Sequence, residues 1–479
     1  MKYWIALAII FVSFLVSLKS LNGYFVLDDY WLVPSAENRS VVEYFKKPFF
    51  ADSGYNQPDG RGLSYFRPVI RLSYLADAKI SGHDPRGYFA TNIIIHLLGM
   101  LALFLILAEF KTGARAGALG LAVLGASPIF FAARALIVTR PESLTALFLL
   151  LMVLLYARFS GTGKRIYYPA ALFCFVVSLG IKESAVAGPF LLMVYIWVFH
   201  REKLKNKSFE LLPFFFLLIL FIIFRLWHSG GFGSLASGVM SISPVKVLGV
   251  ITANMANYLA LFPMVLPIYG NPHVDMWAAA RAVTFIMLAV LFIRMPRSRQ
   301  SSFWIWWFII CSLPAIGMFS YHLLVIPGIG LAVLVGEFIS LAYERYRERF
   351  KIAAVAGIFG IFACYLWMTI GALDQWISIE ARVRDKFKDM AVQISRLEPR
   401  APAGALFFVQ RPWEDSDGIF KNSCHGMALD LHLEELFPGR GVSARFFNSV
   451  DEIDLDFKHA SFFFVYSHGR VREIRRQLD

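Results

Sequence analysis

RPESLTALFLLLMVLLYAR, residues 140–158, opens with an arginine, a proline and a glutamate and then runs without a charge to Arg158. A helix needs roughly 20 apolar residues to cross hydrocarbon, and this stretch is close to that length. It is not alone. Comparable runs lie at 3–21, 91–109, 116–133, 167–181, 184–200, 209–227, 278–294, 303–319, 324–341 and 352–372. The composition agrees: 57% of residues are hydrophobic, 46 are Phe and only 17% are charged, against about 25% charged in soluble domains. The chain is therefore expected to be an all-α polytopic membrane protein with about eleven spans.

Charge sets the expected orientation. The net charge of +13 reads as cytoplasmic loops facing anionic lipid, not as a nucleic-acid surface. Lys111 and Arg115, then Arg158, Lys164 and Arg165, then Arg201, Lys203, Lys205 and Lys207 fall in short loops on one side. This puts the N-terminus in the cytoplasm, the 22–90 loop outside and residues 3–21 as a retained first span. The run 248–268, which carries Asn254, Asn257, Pro263 and Pro267, is expected not to cross. A full crossing would move Arg294, Arg297 and Arg299, and Arg345, Arg347, Arg349 and Lys351, to the wrong face. Residues 1–373 then form a membrane domain, and 374–479 a small extramembrane α/β domain outside. In that tail GALFFVQ and ASFFFVYSHG read as strands and GMALDLHLEELF as a helix. PVIRLSYLADAKI, within the outer loop, has the spacing of an amphipathic helix on the membrane surface. The four cysteines show no disulfide or metal pattern.

GYFVLDDYW, residues 23–31, sets Asp28 and Asp29 side by side just past the first span. The flanking Tyr24, Phe25, Tyr30 and Trp31 are the residues that anchor at a membrane interface. A carboxylate held there can take a proton from a hydroxyl or bind a divalent cation; acidic residues beside a span can also be mere headgroup-facing charge. On the same outer side, where positive charge is disfavoured, lie Arg67, Arg134, Arg140 and Lys182. One account pairs them with their neighbours, Arg140 with Glu142 and Lys182 with Glu183. The other gathers them around a lipid-borne anion, which arginine's planar fork suits.

Five stretches then carry a resemblance: YFVLDDYW, YFRPVIRLSY, HDPRGYFATNIIIHLL, RPESLTALFLLLMVLLY and GIKESAVAGPFLL, in this order over about residues 20–200. Together the chain resembles the GT-C superfamily of polytopic glycosyltransferases, in particular the protein O-mannosyltransferases and the TMTC-type branch. The tail lacks that branch's tetratricopeptide repeats. SYHLLVIPGIG puts His322 near the place where the family often has an arginine.

The resemblance implies an enzyme that moves a sugar from a polyprenyl-phosphate donor to a protein, glycan or lipid acceptor on the outer face, with inversion. Asp28 and Asp29 would be catalytic, one as general base. Arg67, Arg134, Arg140 and Lys182 would meet the lipid phosphate, and His322 would either join them in the arginine's place or cap a helix. Glu183 would orient Lys182. No cofactor is required, and a divalent cation on Asp28 or Asp29 stays open. A transporter or flippase would instead place its substrate groups near the bilayer midplane, and a non-catalytic scaffold would not require the acidic pair. Asn92 and His96, one helical turn apart, are expected to serve helix packing more than substrate. Trp304, Trp306 and Trp307 are expected to be interfacial anchors. A bacterial inner membrane is the expected location, with the site and the C-terminus periplasmic.

Overall fold

The computed structural model describes residues 3–25, 29, 67–127, 130, 132–203, 207–229, 298–315 and 321–403 and, in the tail, 405–410, 429, 432, 433, 436–438, 440, 442–447, 461–467 and 470–473. The helices are α1 (Tyr3–Ser17), α2 (Pro68–Ser81), α3 (Pro85–Glu109), α4 (Ala114–Ala126), α5 (Ala132–Ala135), α6 (Arg140–Thr162), α7 (Tyr167–Leu179), α8 (Gly188–Phe199), α9 (Leu212–Ser229), α10 (Arg299–Ser312) and α11 (Val325–Leu397). The strands are β1 (Leu406–Gln410), β2 (Ser443–Phe447), β3 (Ser461–Ser467) and β4 (Arg470–Glu473). Two compact units result. Described residues up to Leu21 and from Arg67 to Asp374 form the first; Gln375 onward, joined by residues 22–25 and 29, forms the second.

Among the described residues six stretches are long and apolar enough to cross a membrane: Tyr3–Asn22, Pro85–Glu109, Ile137–Thr162, Phe209–Trp227, Val325–Glu348 and Ile352–Leu397. Ala114–Ala126, Tyr167–Leu179 and Glu183–Phe199 are shorter and apolar. The runs 248–268 and 278–294 lie outside the described residues. Proline sets several boundaries. Pro68, Pro85, Pro141 and Pro189 stand in the first turn of α2, α3, α6 and α8, where a missing N–H costs nothing. Asp84 caps α3 by accepting the Arg86 N–H at 3.0 Å. The expected span 116–133 stops as a helix at Ala126, because Pro128 disfavours helical backbone at Ser127. The expected span 303–319 ends at Ser312, just before Pro314.

α11 is helical throughout but cannot be straight. A Cβ on Gly336 would run into the backbone of Gly120 on α4, so only two glycines permit this contact. Arg115, at the start of α4, pairs with Glu344 at 3.0 Å. Thr369 donates to the Ala126 carbonyl at the other end of α4 at 2.6 Å. Gly120 and Ala126 are about 9 Å apart along a helix, whereas the residues from 336 to 369 would cover about 50 Å if straight. The run therefore doubles back between Glu344 and Thr369, as the separate spans 324–341 and 352–372 require.

The tryptophan expectation is corrected. Trp304 and Trp307 are fully buried in the helical core, and Trp307 Nε1 donates to the Ile326 carbonyl at 2.9 Å. Trp306 alone of the three is exposed. Trp307 has a partner for its N–H, as buried tryptophans usually do, whereas Trp304 Nε1 makes no hydrogen bond; position along a span does not reveal which face the ring takes. α2 forms as expected, but Ile70, Tyr74, Leu75 and Ala78 are buried within the protein, with Tyr74 Oη donating to the Ile137 carbonyl at 2.9 Å.

In the second unit the sheet order is β2-β1-β3-β4, with β1 parallel to β2 and β3, and β4 antiparallel to β3. β1 and β3 are the two expected strands. Phe407 packs on Phe464 and Phe437, with ring centroids 5.9 and 6.1 Å apart. From α11, Phe387, Met390, Ala391 and Ile394 present a buried stripe at helical spacing.

Candidate active site

In the first unit the cations of the sequence reading are brought into a network of buried charge. Arg140, at the first turn of α6, is fully buried. Its Nη2 lies 2.6 Å from Asp77 Oδ2 of α2 and donates to the Tyr88 carbonyl at 3.0 Å. Its Nε donates to Asn92 Oδ1 and its Nη1 to Ser73 Oγ, each at 2.8 Å. The guanidinium also lies 4.6 Å from the Tyr74 ring centroid. Asp77 in turn accepts from Thr91 at 2.7 Å. Arg140 thus ties α2, α3 and α6 together with its donors committed inside the protein.

The neighbour pairings expected from sequence are replaced. Glu142 pairs with Lys182, not with Arg140. Glu183 pairs with Arg67, not with Lys182: Arg67 Nη2 is 2.6 Å from Oε2 and Nε is 3.2 Å from Oε1. Glu183 also takes Arg225 of α9, at 2.7 Å. Adjacent residues in a turn point apart, so the carboxylates reach other elements. The turn is held by the Val69 N–H donating to the Gly180 carbonyl at 3.0 Å. Burial, with Arg67 adding to it, outweighs Glu142 and pulls the Lys182 ammonium below its ordinary range. Among the described residues, three cations here (Arg67, Lys182, Arg225) share two carboxylates (Glu142, Glu183).

Arg225, Asp77 and Glu142 were not picked out by the sequence reading as site residues. The signal was present for Arg225, a charge inside the apolar run LPFFFLLILFIIFRLW.

Arg134 on α5 is fully buried. Its Nη1 donates to the Gly125 carbonyl at 3.1 Å, while Nε and Nη2 make no hydrogen bond. Uncommitted donors on a buried cation are costly. Asn92 donates to the Leu136 carbonyl at 2.9 Å besides accepting from Arg140. His96 lies 3.4 Å from Ser13 Oγ of α1. Both polar groups thus join helices to their neighbours. His322 stands in the short helix Tyr321–Leu324.

In the second unit Asp29 is buried, 1% exposed; Asp28 lies outside the described residues. Tyr24 and Phe25 are tied into the protein. The Tyr24 N–H donates to Glu380 Oε2 of α11 at 2.9 Å, and the Arg384 guanidinium lies 3.9 Å from the Tyr24 ring centroid. Glu380 is also only 1% exposed. It stands beyond the apolar part of α11, and burial, with the charge of Asp29 contributing, raises its carboxyl well above the usual range. Among the described residues no three His, Cys, Asp or Glu side chains converge as metal ligands.

Residues 68–227 match the sequence model of the family described as dolichyl-phosphate-mannose-protein mannosyltransferase. The mouse protein O-mannosyl-transferase TMTC1 is 27% identical over 190 residues, which is 37% of this chain and 20% of that protein. The chain thus spans about a fifth of the length of this curated relative. Among solved structures, the Archaeoglobus fulgidus oligosaccharyltransferase tethered to an acceptor peptide superposes with a TM-score of 0.49 at 15% identity, covering 89% of this chain and 63% of that one. ArnT from Cupriavidus metallidurans bound to undecaprenyl phosphate gives 0.48 at 16% identity, covering 96% and 92%. The family match falls on the segment that builds the charged network, and over that segment the chain is similar to protein mannosyltransferases.

Proposed function

We propose that the protein transfers a sugar, mannose by the family match, from a polyprenyl-phosphate carrier to an acceptor hydroxyl on the membrane face that carries GYFVLDDYW. The observation behind this reading is that the mannosyltransferase match, residues 68–227, contains every member of the buried charged network except Arg67. Asp28 is the general base and Asp29 supports it. As Asp28 takes the acceptor proton, the acceptor oxygen bonds to the anomeric carbon. The bond from that carbon to the phosphate oxygen breaks on the opposite face, so configuration inverts.

The leaving polyprenyl phosphate gains one negative charge. Lys182, Arg67 and Arg134 stabilise that charge, with His322 as a further contact. Arg140 serves the same site as the tie that fixes α6 against α2 and α3. In a water-poor site, positioning and such electrostatics supply much of the rate. The acceptor is a protein hydroxyl, and the active face is the outer one.

The test is transfer from polyprenyl-phosphate-mannose to a serine- and threonine-containing peptide by the protein in lipid nanodiscs, read as released polyprenyl phosphate. Asp28→Asn is expected to slow it by roughly a hundredfold to ten-thousandfold with donor affinity retained. Near-normal rates for both Asp28→Asn and Asp29→Asn would overturn the reading.

A further inference from the structure

Tyr24, just ahead of the acidic pair, is held by a residue that lies more than 350 positions away. Tyr24, five residues before Asp29, is gripped from two sides by one face of α11. Glu380 accepts its backbone N–H at 2.9 Å, and Arg384, four residues on and so one helical turn away, covers its ring at 3.9 Å. Asp29 and Glu380 are each only 1% exposed.

We infer that Glu380 is a positioning residue for the acidic stretch, acting through its hold on the Tyr24 backbone. The inference rests on the reading of GYFVLDDYW as catalytic. Two carboxylates buried near one another resist carrying two charges at once. Among the described residues, the charged groups that face Glu380 are Asp29 and, across the Tyr24 ring, Arg384. Burial first, and Asp29 in addition, favour the protonated form of Glu380. Held neutral, Glu380 adds no second buried charge beside Asp29. When Glu380 ionises at higher pH, a second buried charge pushes against Asp29 and the stretch loosens.

The experiment compares Glu380→Gln and Glu380→Ala with the wild type in the same nanodisc assay across pH, with polyprenyl-phosphate-mannose and the peptide as probes. Glutamine keeps an oxygen for the Tyr24 N–H and imitates the protonated acid. It is expected to preserve kcat and the donor KM near neutral pH and to abolish the alkaline fall in rate. Alanine removes the anchor and is expected to lower kcat by roughly a hundredfold with the donor KM unchanged. A glutamine variant whose pH profile superimposes on the wild type, or an alanine variant with wild-type kcat, overturns the inference. Asp29→Asn is the control: if it is impaired while both Glu380 variants behave as wild type, the inference fails and the catalytic reading stands. If Asp28→Asn and Asp29→Asn are also normal, the catalytic reading itself fails.

Discussion

Arg140 and Asp77 meet at 2.6 Å with the arginine side chain fully buried, and the same guanidinium binds Asn92, Ser73 and the Tyr88 carbonyl. Removing one member of a buried pair leaves the other charge uncompensated, at a cost of about 3–5 kcal/mol. Arg140→Ala is therefore expected to lower the thermal unfolding temperature strongly, and Asp77→Ala likewise. The double replacement should cost less than the sum of the two. Additive losses, measured by unfolding in detergent, would show that the pair is not coupled.

Lys182 and Arg67 differ from Arg140 in having part of their side chains open, 13% exposed in each case. Lys182→Ala is expected to weaken binding of polyprenyl phosphate roughly tenfold, about 1.4 kcal/mol, with a smaller loss of stability than Arg140→Ala. Binding to protein in nanodiscs measures this directly. Unchanged affinity in both Lys182→Ala and Arg67→Ala would leave them as structural ion pairs.

Glu380 has a folded-state pKa raised above its unfolded value, chiefly by burial. The folded protein therefore holds a proton that the unfolded chain releases. Its contribution to stability is full below the unfolded pKa, near 4.3, and is lost as pH rises through the raised value. Glu380→Gln cannot lose that proton. The variant and the wild type should unfold alike near pH 4, and the variant should be the more stable one at pH 7 and above. A difference that is constant across pH would contradict the assignment.

Residues 22–25 and 29 fold in one unit with Gln375 onward, and Lys19 pairs with Asp374 at 2.6 Å in the other. The acidic stretch and the tail must then share one side of the membrane. Cysteines introduced at Asn22 and Arg400 should react with the same impermeant reagent from the same side. A reporter that works only in the cytoplasm, fused after Asp479, should be inactive. Opposite labelling of the two cysteines would break the topology.

Much of this protein is written locally. The apolar runs are set by length and composition alone. Helix starts at Pro68, Pro85, Pro141 and Pro189, and the stop before Pro128, follow from proline's missing N–H and its steric demand on the preceding residue. The strands at 406–410 and 461–467 were legible as short apolar runs rich in Phe and Val, and the helix at 68–81 as a pattern of period 3.6. The cations in the short turns stood out because, in the orientation expected from the basic loops, they break the usual charge bias.

Partners could not be read in the same way. Sequence neighbours offered Arg140 to Glu142 and Lys182 to Glu183, but the fold gives Arg140 to Asp77, Lys182 to Glu142 and Glu183 to Arg67 and Arg225. Trp304 and Trp306 differ by two positions, yet one is in the core and the other is exposed, because a helix turns about 100° per residue and the sequence does not say which face meets protein. Glu380 could not be linked to Tyr24 at all, since that hydrogen bond closes a loop of more than 350 residues. Periodicity and propensity act over a turn or two of chain. Which buried charge meets which is decided only when distant helices pack, because the cost of an unpaired ion in a dry interior selects the partner in space and not in sequence.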